Sequence, residues 1–112
     1  MPQTKIYGVD NYLNPIKSQL SLVIHSCFVD VLQYHPDKRF HRFFPMDKSD
    51  FIFPFDKSQN YLIIEISMFE GRSVDVKKKL IRLLIKRISE KFNIPNHDIE
   101  ITIFETPKYN WG

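Results

Sequence analysis

The chain of 112 residues has a single cysteine, Cys27, and only three glycines. One cysteine excludes an internal disulfide and is typical of a reducing compartment. The four histidines are scattered, with neither an H-x-x-x-H nor a C-x-x-C spacing, so we expect no metal site and no cofactor. No apolar run is long enough to span a bilayer, and polar residues 3–5 do not resemble a signal peptide. These absences predict a cytoplasmic protein without a membrane partner, and the length predicts one domain.

Aromatic residues are abundant: the chain contains ten Phe, five Tyr and one Trp. A small core does not need so many, and we expect some of them to line a pocket or a subunit interface. The net charge of +3 suits an anionic small molecule as well as it suits nucleic acid, and it does not decide between them.

Hydrophobic periodicity divides the chain into two similar halves, and the first half begins with a strand and a helix. Residues 3–7 fit a short strand. Asn14 and Pro15 fit a helix start, because Asn is a common N-cap and Pro is favoured at the first helical position. The apolar stripe of this helix contains Cys27, which is therefore assigned to the core and not to a nucleophile.

A second strand follows this helix. The helix must end by His35, because the residue before a proline disfavours helical geometry. Residues 39–44 then alternate as a strand that places Arg39 on one face and Arg42 on the other.

The second half repeats the order strand, helix, strand. Residues 61–68 form a mostly apolar strand, and Ser73 can cap the following helix. Asn93, followed by Pro95, ends that helix, and residues 99–104 alternate as a half-buried strand.

Together the two halves predict an α/β (α+β) fold made of a tandem βαβ repeat. Residues 2–45 are the first repeat, residues 46–60 a connecting segment in which 51–53 could form a brief strand, and residues 61–112 the second repeat. Because βαβ units are right-handed with parallel strands, we expect a four-stranded sheet with two helices on one face.

Several short motifs of the second half point to a known family. They are Glu70-Gly71-Arg72-Ser73, residues 77–80, Ile94-Pro95, residues 101–105 and Asn110-Trp111-Gly112. These motifs resemble the tautomerase superfamily, with the closest likeness to 4-oxalocrotonate tautomerase, whose short subunit is one βαβ unit. A fused pair of units resembles the malonate semialdehyde decarboxylase and macrophage migration inhibitory factor branches. The likeness is detailed over residues 60–112 and architectural over residues 2–45.

The resemblance implies a homotrimer that transfers a proton between keto and enol forms of a small carboxylic acid. The family's catalytic N-terminal proline corresponds to Pro2, once Met1 is removed. Arg72 fits the substrate-binding arginine, and Trp111 falls where the family has an aromatic wall beside the proline. Arg39, preferred to Arg42, is the candidate for a second positive group.

Other positions depart from the family pattern. The decarboxylase-like branch has a second arginine where this chain has Glu70, and another arginine position of the tautomerases is occupied by Glu100. The acidic residue that positions water in the decarboxylase and dehalogenase branches does not align cleanly with Asp37, since Lys38 competes for that place. Tautomerisation is therefore predicted, with decarboxylation, hydration or dehalogenation as the alternative.

Two unrelated classes compete with this interpretation. His35-Pro36-Asp37 matches the loop signature of J-domain co-chaperones, but that module is all-helical. The order βαββαβ, with basic and aromatic residues interleaved at 39–44, also fits an RNA-binding module. The glycine-containing aromatic signature of that module is missing, and we expect no nucleic-acid partner.

Overall fold

The computed structural model describes residues 2–112, which form four strands, two long helices and three short 3-10 turns. The strands are β1 (Gln3–Val9), β2 (His41–Met46), β3 (Leu62–Phe69) and β4 (Ile99–Thr106). The helices are α1 (Asp10–Leu32) and α2 (Val74–Phe92). None of the helices in this part of the chain has the length and apolarity that crossing a membrane requires.

The four strands form one mixed sheet in the order β2-β1-β3-β4. Strands β1 and β2 are parallel, strands β3 and β4 are parallel, and the two pairs meet where β1 lies antiparallel to β3. Each helix therefore connects two parallel neighbours, and the tandem βαβ prediction is confirmed.

Alternate residues of the central strands face the helices and form the core. Strand β3 shows this most clearly, because its even-numbered residues are fully buried while its odd-numbered residues are half-buried. The core also includes Cys27 and other residues of both helices, which pack against the same face of the sheet. The fold is thus α+β, a four-stranded sheet with two helices on one face.

We call the opposite face of the sheet the open face. Strand alternation assigns to it Gln3, Lys5, Tyr7, Arg42, Phe44, Ile63, Glu65, Ser67, Phe69, Glu100, Thr102 and Phe104. At its centre the Tyr7 hydroxyl donates to Glu65 Oε1 at 2.8 Å. This face is therefore partly polar, and a central carboxylate is unfavourable for contact with an RNA backbone.

The start of α1 differs from the prediction. The helix begins at Asp10, four residues before Asn14, and Pro15 lies inside it. A proline removes the bond from its own nitrogen to the carbonyl four residues earlier, which belongs to Asn11. Asn11 is exposed, so water can satisfy that carbonyl. The end of α1 agrees with the prediction, since Gln33 adopts the left-handed conformation just after Leu32.

The ends of α2 were predicted correctly. Ser73 Oγ accepts a hydrogen bond from the Val76 nitrogen at 3.2 Å, and Asn93 ends the helix with a φ of 55°. Strand β3 lies within one residue of its predicted bounds, and β4 begins where predicted but extends two residues further, to Thr106.

The connecting segment and β2 differ from the prediction. Residues 51–53 do not form a strand; instead Phe51 and Phe53 pack on Tyr61, with ring centroids 5.6 and 5.2 Å from it. Strand β2 begins at His41, two residues later than Arg39, and extends to Met46. His35-Pro36-Asp37 is the turn between α1 and β2, which is inconsistent with an all-helical co-chaperone module.

Candidate active site

One end of the sheet brings together most of the residues predicted for the site. Gln3 pairs with Ser67 across the antiparallel strands, so continuing this register places Pro2 level with Met68. Pro2 is buried and lies on the helix-facing side, because side chains alternate along β1. The carboxyl ends of β3 and β4 meet at this same end, and Arg72 follows β3 directly.

Arg39 lies beside Pro2 across the other neighbouring strand. The Thr4 nitrogen donates to the Phe40 carbonyl at 2.9 Å, which extends the β1–β2 pairing beyond the start of β2. Continuing that register places Arg39 level with Pro2 and on the same side of the sheet. Arg42 is on the open face, where its Nη2 lies 3.5 Å from Gln3 Oε1. Of the two arginines, only Arg39 shares the face of Pro2.

A glycine turn positions Arg72. The Glu70 nitrogen donates to the Thr106 carbonyl at 3.0 Å, and Gly71 then takes a φ of +123°, which favours glycine strongly. Arg72 is half-buried at the amino end of α2, where helix N–H groups and the helix dipole favour an anion. Within residues 2–112 its guanidinium has no hydrogen bond or ion pair of its own. It can therefore bind a carboxylate without breaking an internal contact.

An ion pair joins the start of α2 to the end of β4. Lys77 Nζ lies 2.7 Å from Glu105 Oε1. The Glu105 carboxylate is thus paired with Lys77.

Trp111 lies at the same end of the sheet but on the other face. Its ring packs on Phe69 with centroids 5.1 Å apart at an angle of 62°, and Phe69 belongs to the open face. Lys108 Nζ lies 5.9 Å from the centre of the Phe69 ring. In a single chain, therefore, Trp111 and Pro2 lie on opposite sides of the sheet.

Sequence reasoning missed a polar cluster between α1 and β2. His41 Nδ1 lies 2.7 Å from Ser21 Oγ, which also accepts a hydrogen bond from Arg39 Nη1 at 3.1 Å. His25 Nε2 is 3.1 and 2.9 Å from the carbonyl oxygens of His35 and Pro36, so it must carry the proton. Strand alternation already put His41 on the side of Arg39, but no sequence pattern linked it to Ser21.

The protonation state of His41 follows from this environment. Burial, the largest cause, acts together with the neighbouring His25 and Arg39 to lower the pKa of His41 to about 4. His41 is therefore neutral near pH 7. Since Ser21 Oγ accepts from Arg39, its own proton can be donated to the bare Nδ1 of His41.

We expect His41 to make the fold less stable in acid. Its pKa is about 6.5 when unfolded and about 4 when folded, so between these values the unfolded chain binds a proton that the folded chain does not. The free energy of unfolding should fall by about 2 kcal/mol as the pH drops from 6.5 to 4, a value discounted for the partial exposure of the ring. Urea unfolding of the wild type and His41→Gln at several pH values measures this difference. Equal losses of stability in both proteins would contradict the assignment.

At the opposite end of the sheet, the positions equivalent to Pro2 and Arg72 hold neither an amine nor an arginine. Leu62, the position equivalent to Pro2 in the second repeat, is fully buried. Tyr12, equivalent to Arg72 in the first repeat, has a hydroxyl that is buried without a partner among the described residues. Burial raises the pKa of Tyr12, so its hydroxyl stays neutral. Within residues 2–112, no three His, Cys, Asp or Glu side chains are placed to hold a metal ion.

Residues 38–112 match a protein-family model described as a tautomerase enzyme. This chain belongs to the tautomerase family. A 2-hydroxymuconate tautomerase of Comamonas testosteroni is 35% identical over 48 residues, which are 43% of this chain and 76% of that protein.

Solved structures of tautomerase-superfamily proteins match nearly the whole chain. A malonate semialdehyde decarboxylase inhibited by 3-bromopropiolate gives a TM-score of 0.86 at 20% identity, covering 98% of this chain and 87% of the other. A fused 4-OT asymmetric trimer gives 0.84 at 17% identity, covering 98% and 90%. A member of the cis-3-chloroacrylic acid dehalogenase family gives 0.85 at 11% identity, covering 98% and 78%. At these identities the matches show the shared fold.

Proposed function

We propose that this tautomerase-family protein catalyses keto–enol proton transfer on a small α-keto or enol carboxylic acid, with Pro2 as the general base. The observation that supports this most is the arrangement at one end of the sheet. There a buried Pro2 lies level with Arg39 and near the turn that carries Arg72. The opposite end has Leu62 and Tyr12 in the equivalent places and has no such set.

Removal of Met1 would give Pro2 a free secondary amine. An unperturbed α-amino group has a pKa of about 7.7–8.0, and both burial and a nearby cation disfavour its charged form. Pro2 is buried and Arg39 lies beside it, so the neutral base would be well populated at pH 7. This base removes a proton from the enol oxygen or the adjacent carbon and returns it at another carbon, so the reaction needs no co-reactant.

The arginines would stabilise the charge that develops during this transfer. Arg72 binds the carboxylate or polarises the carbonyl, and its guanidinium offers two parallel N–H donors to a carboxylate. Arg39 adds a second positive charge on the side of Pro2. Trp111 excludes water from the site, which requires a neighbouring subunit because it lies on the other face of its own chain.

A homotrimer would bring these groups together, and fused 4-OT proteins of this fold are trimers. Of the apolar strand residues, Ile63 lies on the open face, whereas Ile64 lies in the core and Ile101 packs against it. The open face keeps exposed aromatic side chains, and the connecting segment adds Ile52 and Phe55, which are almost fully exposed. Burial of such a patch favours association with further copies of the chain.

Replacing Ile52 and Phe55 together by serine is expected to convert the trimer into monomers and to abolish activity, since the site would be incomplete in one chain. Light scattering would measure a mass near 13.4 kDa instead of about three times that value. Leu22→Ser, which changes an exposed apolar residue on α1, should keep the trimer. An active monomer of the wild type would refute both the assembly and the shared site.

The experiment that tests the function begins with the amino terminus. Mass spectrometry should show that the purified chain starts at Pro2. The protein should then ketonise 2-hydroxymuconate or enol phenylpyruvate, and 3-bromopropiolate should label Pro2 and stop the reaction. A retained Met1, a label on another residue or the absence of ketonisation would contradict the proposal.

The alternative reactions of the superfamily have weaker support in this chain. Asp37, the candidate for positioning water, is exposed in the turn after α1, and Lys38 beside it is also exposed. Glu70 is exposed and replaces an arginine with the opposite charge. These residues favour tautomerisation over decarboxylation, hydration or dehalogenation.

A further inference from the structure

A cavity of about 550 Å³ lies between α1 and the outer strand β2, outside the turn that carries Arg72. Its polar lining consists of Lys17, Ser18, Ser21, Arg39 and His41. The first three are on α1, and the last two come from the start of β2 and the residues just before it.

The charges of this cavity are of one sign. Lys17 and Arg39 contribute two cations, and the lining has no acidic side chain. Within residues 2–112, neither cation lies within 4.0 Å of a carboxylate. Two cations that share a concave site without a counter-ion attract anions from solution.

Lys17 and Arg39 are both exposed, and each makes one hydrogen bond to a neighbouring side chain. Ser21 is buried, and its Oγ accepts from Arg39 Nη1 while lying 2.7 Å from His41 Nδ1. A guanidinium has five N–H donors, and Ser21 uses one of them. Lys17 Nζ is held 3.1 Å from Asn14 Oδ1 and keeps two further donors. The remaining donors are therefore available to a ligand.

We propose that this cavity binds a small molecule bearing a carboxylate or phosphate group, at a site outside the Arg72 turn that shares Arg39 with the proposed active site. Arg39 and Lys17 supply the positive charge, while the hydroxyls of Ser18 and Ser21 orient the ligand. Arg39 also lies level with Pro2. An anion bound in this cavity would therefore compete with the substrate for the Arg39 guanidinium and would raise the KM of the substrate.

Titration with inorganic phosphate, and separately with malonate, tests this proposal when followed by amide and arginine side-chain NMR at low ionic strength. The protein should carry an N-terminal extension, so that the Pro2 nitrogen is an amide and the reaction at Pro2 cannot contribute. Shifts should concentrate at Ser18, Ser21 and Arg39. The anion that binds more tightly identifies the group that the site prefers.

Two variants and one control separate a specific site from general charge attraction. Lys17→Ala and Ser21→Ala should each weaken binding by about 3- to 10-fold. Lys79→Ala removes an equal charge from an exposed position on α2 and should leave binding unchanged. Ser21→Ala also removes the partner of His41, so Lys17→Ala is decisive if that variant unfolds. An equal effect of Lys17→Ala and Lys79→Ala, or shifts spread over all surface lysines, would overturn the proposal. So would binding that depends on a free Pro2 amine.

Discussion

An N-terminal extension that leaves the Pro2 nitrogen in an amide is expected to lower kcat/KM by about 10²–10⁴-fold, the usual contribution of a general base. An amide nitrogen has no basic lone pair, so it cannot accept the substrate proton. The extension replaces none of the arginines and none of the strand residues. The loss should therefore appear in kcat more than in KM.

A tag of the same length at the carboxyl terminus provides the control for added chain, and it should retain activity. The kcat/KM of Pro2→Ala should lie between those of the two tagged proteins. This variant keeps an amine but loses the ring that fixes the direction of the nitrogen. In the pH profile, kcat/KM should fall on the acid side as the Pro2 amine becomes protonated, and this fall should be absent from the extended protein. Full activity of the extended protein would assign the base to another group.

Most of the fold could be predicted from the sequence because its signals are local. Ser73 and Asn93 are side chains whose preferences directly fix the ends of α2. The alternation of β3 reflects one buried and one half-buried face, and it appears in the sequence as apolar residues at every even position. The predicted start of α1 at Asn14 was wrong, because Pro15 is typical of a first turn. The structure shows that the helix begins earlier, at Asp10.

The site was less predictable because it depends on register between strands. Alternation within one strand placed Arg39 and Arg42 on opposite faces but could not say which face held Pro2. Pairing of Thr4 with His41 decides that question in favour of Arg39. The contact of Ser21 with His41 joins residues twenty positions apart on different elements, and no local pattern indicates it.

Arg72→Ala is expected to reduce kcat/KM by about 10²–10³-fold, equivalent to roughly 2.7–4 kcal/mol of transition-state stabilisation. The reason is that Arg72 would supply the charged donors for the dienolate formed when Pro2 removes its proton. Stability should hardly change, because the Arg72 guanidinium makes no hydrogen bond or ion pair within the described part of the chain. A loss of activity at constant unfolding midpoint would thus indicate a role in binding or catalysis and not in folding.

Two further variants sharpen this test. Arg72→Lys keeps the charge but loses the bidentate fork, so it should recover only a small part of the lost activity. Arg82→Ala, at an exposed position on α2, removes the same charge and should keep wild-type kinetics. Inhibition by a simple carboxylate should weaken in Arg72→Ala and stay constant in Arg82→Ala. If Arg72→Ala and Arg82→Ala behave alike, Arg72 is a surface arginine, and the charge that stabilises the dienolate must come from Arg39 or from a neighbouring subunit.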